Sequence, residues 1–443
     1  MYSYAYDRGQ SKHIKNNSGV DEETERKYKN SRNFFNFKSG AILGNEIHLK
    51  TDINYALDPY LLRDYFYDYR ETLQSNLNVF KIYDYSHINF DLLAFQQIGE
   101  RNNAGVSETP LFVPLVEYDY SSRNLVEHGN FRLNLHSRIL DSYSAYNKKY
   151  AKVNFDTAAV YSNLFSGLYA NASLAMYSDI YYKLDVYTEE NRKYRFYPEL
   201  EIKLLYPVFL FEKIEVIPIL QYFTSEKRNL NLTNLDSKNS ELTMNNLFSR
   251  NRYGGYDLVE TGDRVNYGLK VNLPTGIGQF SLNIGQGYRN FIDNKHRIDF
   301  FSKEFSYLLT MFGYRYSNLS LNYMNHIDNT AHRIDRGDLI VSFNHSRFSF
   351  NISHVYVSNR ISTTGNDEER LSLNLMFAVT KKFYSSLEIG GDLVHKNLTG
   401  VKVAFGYEDN CYRTELIIDK QDFMDPSSRN SVPSFRFRFG VKN

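Results

Sequence analysis

Strict alternation of apolar and polar residues constrains this chain more than any other feature of its sequence. Val265, Tyr267 and Leu269 are separated by polar residues or glycine, and the same two-residue period returns over 280–284, after a Pro- and Gly-containing segment at 274–278. In a β-strand, a period of two places apolar side chains on one face and polar side chains on the other. The two segments are therefore predicted to form an antiparallel hairpin with one apolar face.

The same alternation recurs along most of the chain, which predicts an all-β protein. By this pattern, further strands and hairpins are expected at 314–323, 339–352, 371–376, 401–408 and 435–441. Tyr2, Tyr4 and Tyr6 also alternate, so the first residues are predicted to form a strand. No helical periodicity continues for more than two or three turns.

The composition fits a sheet that has a bilayer against its apolar face. The 443 residues include 38 Tyr and 32 Phe but no Trp, and yet the mean hydropathy is −0.50. Soluble β domains usually stop at about 100 to 250 residues, whereas the alternation here continues without a linker. Tight turns are interspersed with long polar loops at 11–33 and 224–246. These features predict that residues 1–443 form one large transmembrane antiparallel β-barrel of about 24–26 strands.

Other classes of protein agree less well with the sequence. A soluble β-propeller or solenoid remains an alternative, although no repeat of about 40 to 50 residues supports it. The charges balance at a net +1, which argues against a dedicated nucleic-acid binder. No apolar run reaches the roughly 20 residues of a membrane-spanning helix. The N-terminus does not have the pattern of a secretory signal, so none is expected there.

The sequence offers no motif for catalysis, metal binding or cofactor binding. The patterns of a nucleophile elbow, a zinc-protease helix and a P-loop are absent, and the 11 His are scattered. Gly276, Gly278, Gly285 and Gly287 lack the spacing of a dinucleotide-binding loop, so turns and close packing are predicted for them. We expect no enzymatic activity and no cofactor. Cys411 is the single cysteine, so no disulfide is expected within the chain.

Five motifs, in order along the chain, resemble the LPS-assembly outer-membrane protein family, LptD. The most specific of the five is a loop and the strand after it, at 246–257 and 264–269. It is similar to an element of the family that combines Leu-Phe, an Arg and a Gly-Gly pair with an Asp before the strand. The family-like strand motif Gly285, Gln286 and Tyr288 comes next. The other similar segments lie at 109–118, 197–200 and 405–412.

This resemblance implies an outer-membrane translocon that inserts lipopolysaccharide into the outer leaflet through a barrel lumen and a lateral seam. It implies lipopolysaccharide, an LptE-like lipoprotein plug, a periplasmic LPS-bridge protein and outer-membrane lipids as partners. Arg252, Gly254, Gly255 and Asp257 would lie in a luminal loop. There the glycines allow an unusual turn, and an Arg/Asp pair fixes the loop. Direct contact with the substrate is the alternative role for these residues.

Two departures from the family's pattern affect this interpretation. The family's N-terminal jelly-roll domain, which contacts the bridge protein, is not in this sequence, so 1–443 is expected to be the barrel portion only. The family also has two adjacent cysteines that tie the barrel to that domain. Here Asn410 takes the first position, and Cys411 is the candidate for an interdomain disulfide to a separate N-terminal polypeptide. The alternatives are an outer-membrane pore without a lipid-export role, or a non-functional barrel fragment of a split gene.

Overall fold

A computed structural model describes most of the chain. The described residues are 2–5, 32–57, 72–97, 110–144, 149–183, 192–226, 241–253, 258–290, 304–362, 365–409, 411–421 and 434–441. They carry 23 strands and one short 3-10 turn at Gly44–Glu46, which confirms the predicted all-β class. The residues divide into two compact units, 1–162 with 173–199 and 163–172 with 200–443.

Nine strands, β1 to β8 and β10, begin in the first unit, whereas β9 begins at Leu168 in the 163–172 segment of the second unit and continues into the first. From β1 to β8 each strand is antiparallel to the next along the chain. Their bounds are β1 Tyr2–Ala5, β2 Arg32–Leu43, β3 Ile47–Ala56, β4 Thr72–Ile82, β5 Ser86–Gln97, β6 Pro110–Ser121, β7 Asn130–Ser144, β8 Lys149–Phe165, β9 Leu168–Lys183 and β10 Arg192–Leu205. Strand β1 lies in the N-terminal segment where Tyr alternates, as predicted.

The second unit contains the remaining strands, which pair in the same consecutive manner from β11 to β23. Their bounds are β11 Val208–Leu210, β12 Ile214–Ser225, β13 Arg264–Thr275, β14 Gly278–Arg289, β15 Leu308–Tyr316, β16 Leu319–Asp328, β17 Arg333–Asn344, β18 Phe348–Val357, β19 Glu368–Ala378, β20 Phe383–Asp392, β21 Asn397–Glu408, β22 Tyr412–Gln421 and β23 Ser434–Val441.

The predicted hairpins form in the register that the alternation requires. In β13–β14, Leu269 is opposite Ile284, and Thr275 opposite Gly278 closes the turn. Of the two predicted loops, 11–31 and 227–240 lie outside the described residues. At their described ends, β2 begins at Arg32, β12 ends at Ser225, and the connection after β12 continues past 246 to 263. Ladder hydrogen bonds continue β12 beyond its apolar pattern, since the Ser225 N–H donates to the Gly262 carbonyl at 3.3 Å.

The connections of the second unit differ between the two ends of its strands. One set of alternate connections has two to four residues throughout: 211–213, 276–277, 317–318, 345–347, 379–382 and 409–411. The other set includes all the long connections, 226–263, 290–307, 358–367 and 422–433, together with two of four residues, 329–332 and 393–396. Neighbouring antiparallel strands run in opposite directions, so successive connections lie at opposite ends of the strands. The first set therefore lies at one end, which carries no long connection and is called here the short-turn end. This asymmetry is typical of outer-membrane barrels, whose periplasmic turns are the short ones.

On this sheet, apolar side chains are exposed on one face, while polar side chains are buried on the other. On the apolar face of β13, Tyr267 is 40% exposed, while its neighbour Asn266 on the polar face is fully buried. Large apolar side chains are exposed on many strands of both units, whereas Lys152, Asn154 and Gln221 are buried. A soluble protein shows the reverse preference. The arrangement therefore requires an apolar environment outside the sheet.

Candidate functional site

A long connection folds back onto the polar face of the second unit. This docked loop comprises residues 241–263, of which 254–257 lie outside the described part of the chain. Asn246 shapes its start, because the Asn246 Oδ1 accepts from the Thr243 N–H at 2.7 Å and the Asn246 Nδ2 donates to the Glu241 carbonyl at 2.6 Å. The resulting turn directs Leu247 at the sheet.

The docked loop is anchored first by apolar packing. Leu242, Met244 and Leu247 form a buried cluster with Tyr307 and Leu309, and Leu242 and Leu247 are fully buried. Burying apolar side chains of this size stabilises a structure by about 1.5–3 kcal/mol each. A polar face thus contains a local apolar core, which holds the loop against β14 and β15.

Two glycines allow this close approach. Gly268 and Gly285 are direct partners on β13 and β14. A Cβ atom added to Gly285 would stand 2.5 Å from Leu247 Cδ2, and one added to Gly268 would stand 3.0 Å from Phe248 Cζ. Any larger residue at Gly285 would displace the loop. The close-packing role predicted for Gly285 is therefore confirmed.

A buried charge cluster holds the far side of the loop. Arg252 donates from Nε to Oε2 of Glu260 at 2.7 Å and from Nη2 to the other carboxylate oxygen. Arg264 and Arg289 also bind the Glu260 carboxylate. Arg252, Glu260 and Arg264 are each at most 6% exposed. Three guanidinium groups on strands and loop therefore converge on one carboxylate, which cross-links the loop to β13 and β14.

Next to the charge cluster, buried polar side chains of the strands donate hydrogen bonds to backbone carbonyls of the docked loop. The Gln221 amide donates to the Phe248 carbonyl at 3.0 Å and to Glu201 Oε1 at 2.6 Å, and its oxygen accepts from Asn266 Nδ2 at 2.7 Å. Arg264 Nη2 donates to the Ser249 carbonyl at 2.8 Å. Because buried backbone groups need such partners, the loop is fixed on its polar face as well as by its apolar side chains.

Burial affects the ionisation of two groups on the docked loop. Burial lowers the pKa of Arg252 to about 9, which leaves the guanidinium charged at neutral pH. Burial also raises the pKa of Glu241, although Arg336, 2.7 Å from the carboxylate, acts in the opposite direction. Arg252 therefore keeps its positive charge beside the Glu260 carboxylate at neutral pH.

The predicted loop residues are only partly described. Arg252 is buried in the docked loop, and Glu260 is an acidic partner that sequence reasoning missed. Gly254, Gly255 and Asp257 lie outside the described residues, so the predicted Arg/Asp pair stays a prediction. Arg264 and Arg289 were missed too. The alternation predicted that both side chains lie on the polar face. Nothing in the sequence indicated that both would bind the same carboxylate, that of Glu260.

The strand motif is divided between the two faces of the sheet. Gly285 lies under the docked loop on the polar face, whereas Gln286 lies on the apolar face and is only 7% exposed. Gln286 Oε1 accepts from the Tyr267 hydroxyl at 2.6 Å, and Gln286 Nε2 donates to the Ser306 carbonyl at 2.9 Å. Tyr288 lies 4.9 Å from Phe305 between ring centroids.

Cys411 is exposed as a free thiol in the connection between β21 and β22. The Cys411 and Tyr412 N–H groups donate to Asp409 Oδ1 at 2.8 and 2.9 Å, and these donors lower the pKa of Asp409. This turn belongs to the short-turn end of the second unit. An exposed thiol on a well-formed turn is accessible to another polypeptide.

The first unit has its own polar cluster. His87, Asp119, His136 and Asp156 are register partners across β5 to β8. The Asp119 carboxylate lies 3.3 Å from the Nδ1 of His87 and 2.5 Å from that of His136. Within the described residues, no three His, Cys, Asp or Glu side chains form a group suited to a metal ion.

No helix within the described ranges is long and apolar enough to cross a membrane.

An antiparallel sheet with an exposed apolar face and a polar face that carries a docked loop is characteristic of outer-membrane β-barrels. The chain is similar in fold to the siderophore receptor PirA from Acinetobacter baumannii, with 7% identity, a TM-score of 0.50, and coverage of 89% of this chain and 74% of that one. The siderophore receptor PirA from Pseudomonas aeruginosa gives 10% identity, a TM-score of 0.49 and coverage of 93% and 77%. These likenesses concern the fold.

The family is identified from the sequence. Residues 30–386 match the family LptD, LPS transport system D, and the chain belongs to this family. No curated protein matches the chain. The predicted family and the predicted location are both confirmed: the chain is an integral β-barrel protein of the outer membrane.

Proposed function

We propose that this chain is the outer-membrane translocon that inserts lipopolysaccharide into the outer leaflet. The observation that carries the proposal is the family match over 30–386, which spans β2 to β19, the start of β20 and the docked loop. Sugars would move along the polar face inside the barrel, and acyl chains would leave through a lateral seam. The chain acts without enzymatic chemistry.

The polar face of the second unit supports this proposal. One row across β17 to β22 is polar on every strand: Ser342, Asn351, Asn374, Glu388, Lys402 and Asp419. Arg370 on β19 and Arg413 on β22 each pair with a glutamate of their own strand, and their side chains remain 56% and 50% exposed. A hydrated surface with accessible cations suits sugars and the phosphates of a lipid head group.

The proposed partners follow from the family. An LptE-like lipoprotein would occupy the lumen, and a separate N-terminal polypeptide would connect the barrel to the periplasmic LPS-bridge protein. Cys411 is proposed to form a disulfide with that polypeptide in the oxidising periplasm. Its exposure, and its place at the short-turn end of the second unit, support the proposal. A native membrane sample should show a gel mobility shift that reductant and a Cys411→Ser variant both abolish.

Site-specific photo-crosslinking tests transport itself. A photoreactive amino acid replaces Asn351 on the polar face of β18, and a control carries it at the adjacent Phe350 on the apolar face. Both chains are expressed in the outer membrane of a Gram-negative host, and adducts are detected with antibody to lipopolysaccharide. We expect adducts at Asn351 that vanish when the inner-membrane supply of lipopolysaccharide is stopped. Any adduct at Phe350 with resident lipid should persist.

Two results would contradict the proposal. Asn351 could give no adduct while the supply is active, or its adduct could persist unchanged after the supply stops. Either result, combined with ion conductance of the purified chain in a planar bilayer, would favour the alternative of a pore without a lipid-export role.

A further inference from the structure

A groove of about 520 Å³ lies on the apolar face of the second unit, opposite the docked loop. Two neighbouring rows of register partners form it. Leu220 and Tyr267 form the rim row, and Pro218, Leu269 and Ile284 form the floor row. Leu220 and Tyr267 are 46% and 40% exposed, so the rim projects from the sheet.

An interruption of the strand ladder borders this groove. Strand β10 ends at Leu205 and β11 begins at Val208, and the Tyr206 N–H donates to the Pro218 carbonyl at 3.2 Å. Neither Pro207 nor Pro218 has an N–H to add to the ladder. The backbone is therefore irregular where Tyr206 meets β12, and the ring of Pro218 leaves a shallow floor instead of a long side chain.

A hydrogen-bonded pair fixes the rim. The Tyr267 hydroxyl donates to Gln286 Oε1 at 2.6 Å, and the Gln286 amide donates to the Ser306 carbonyl at 2.9 Å. A polar amide on an apolar face is costly unless it has such partners. These hydrogen bonds hold the ring of Tyr267 in place. They also give the polar groups of the pair partners within the protein, so a ligand in the groove does not have to supply any. This gives Gln286 of the strand motif a function of its own.

We propose that this groove binds one acyl chain of a glycerophospholipid. The apolar face of an integral outer-membrane barrel contacts bilayer hydrocarbon, and among the described residues those that line the groove carry no charge. Water in such a groove would lack hydrogen-bond partners. One chain of a two-chain lipid can enter while the other remains in the bilayer. Lipid A carries more acyl chains on a wider sugar head group, so its remaining chains and its sugars would also have to be placed beside the groove.

The absence of Trp from the chain permits a direct test. Leu220→Trp places the only indole of the protein on the rim of the groove. Leu371→Trp is the matched control, since Leu371 is also a Leu of the apolar face, 38% exposed, but does not line the groove. The full-length variants are purified in a detergent that does not quench fluorescence and titrated with phosphatidylcholine brominated on its acyl chains.

The proposal predicts saturable quenching at Leu220→Trp and only gradual, non-saturating quenching at Leu371→Trp. Adding Tyr267→Phe to Leu220→Trp removes the hydroxyl that fixes the rim. We expect half-saturation to require roughly two- to tenfold more lipid, the range that corresponds to one lost hydrogen bond. Circular dichroism and the heat-dependent gel mobility of the barrel verify that each variant is folded.

Three results would overturn the proposal: equal quenching at the two positions, saturation that Tyr267→Phe leaves unchanged, or displacement of the brominated lipid by lipopolysaccharide at lower concentration than by unlabelled phosphatidylcholine. The proposal depends on the outer-membrane location and not on lipopolysaccharide transport. The crosslinking experiment at Asn351 and this titration therefore fail independently.

Discussion

Neutralising Glu260 should release the docked loop, because this one carboxylate receives Arg252, Arg264 and Arg289. Glu260→Gln keeps the size of the side chain but removes its charge, so three guanidinium groups lose a common buried partner. Breaking a buried ion pair from one side costs about 3–5 kcal/mol, since the remaining charge stays desolvated. We expect the free energy of unfolding to fall by about this amount.

The control is a glutamate of the same polar face in a more exposed pair. Glu388 lies 2.7 Å from Lys402, and its side chain is 46% exposed. Exposed ion pairs contribute about 0–1 kcal/mol, so Glu388→Gln should change the free energy of unfolding by no more than that. Both variants are reconstituted in lipid vesicles and unfolded in guanidinium chloride, with far-ultraviolet circular dichroism as the signal.

Limited proteolysis distinguishes local release of the loop from global unfolding. If the cluster anchors the loop alone, Glu260→Gln should be cleaved within 241–263 at denaturant concentrations where the strands remain intact. Arg252→Lys keeps the charge but loses the two-pronged contact with Glu260, and it should give an intermediate loss. Identical midpoints and identical cleavage of Glu260→Gln and Glu388→Gln would refute the assignment of the cluster as the anchor.

Two further predictions concern the same loop. Gly285→Ala should lower the free energy of unfolding by about 1–3 kcal/mol, because its Cβ would overlap Leu247. Gly276→Ala, where a Cβ meets nothing within 4 Å, should be nearly neutral; equal effects in denaturant titrations would contradict the packing argument. Burial raises the pKa of Glu241, so its stabilising contribution is complete below its ordinary value of 4.5 and is lost as pH rises through the raised value. Glu241→Gln should flatten that pH dependence in unfolding experiments, whereas a steeper loss in the variant would show that the Arg336 pair dominates.

The strands were predictable because their signal is local. A two-residue period fixes which side chains share a face, and a short turn such as 276–277 then fixes the register of Leu269 against Ile284. The family resemblance was also readable, because its motifs are short and contiguous. Arg252 was singled out on that basis, and it lies at the centre of the anchored loop.

The partners within the site were not predictable, because they depend on how the chain folds back. Arg289 and Glu260 are 29 residues apart, and their pairing requires the docked loop to lie across β13 and β14. The two roles of the strand motif were hidden for a related reason. Adjacent residues of a strand face opposite sides, so Gly285 and Gln286 serve different environments although they are neighbours in the sequence.

The consecutive pairing of the strands has a consequence for how such a protein changes over generations. Within each unit, every described ladder between β1 and β8 and between β11 and β23 joins strands adjacent in the chain. If one hairpin were duplicated in tandem or deleted in frame, the strands that do not adjoin it would keep the same pairing partners. The hairpin is thus the unit in which genetic gain or loss would widen or narrow the sheet. The docked loop is the exception, since removing β13 and β14 would also remove its anchor.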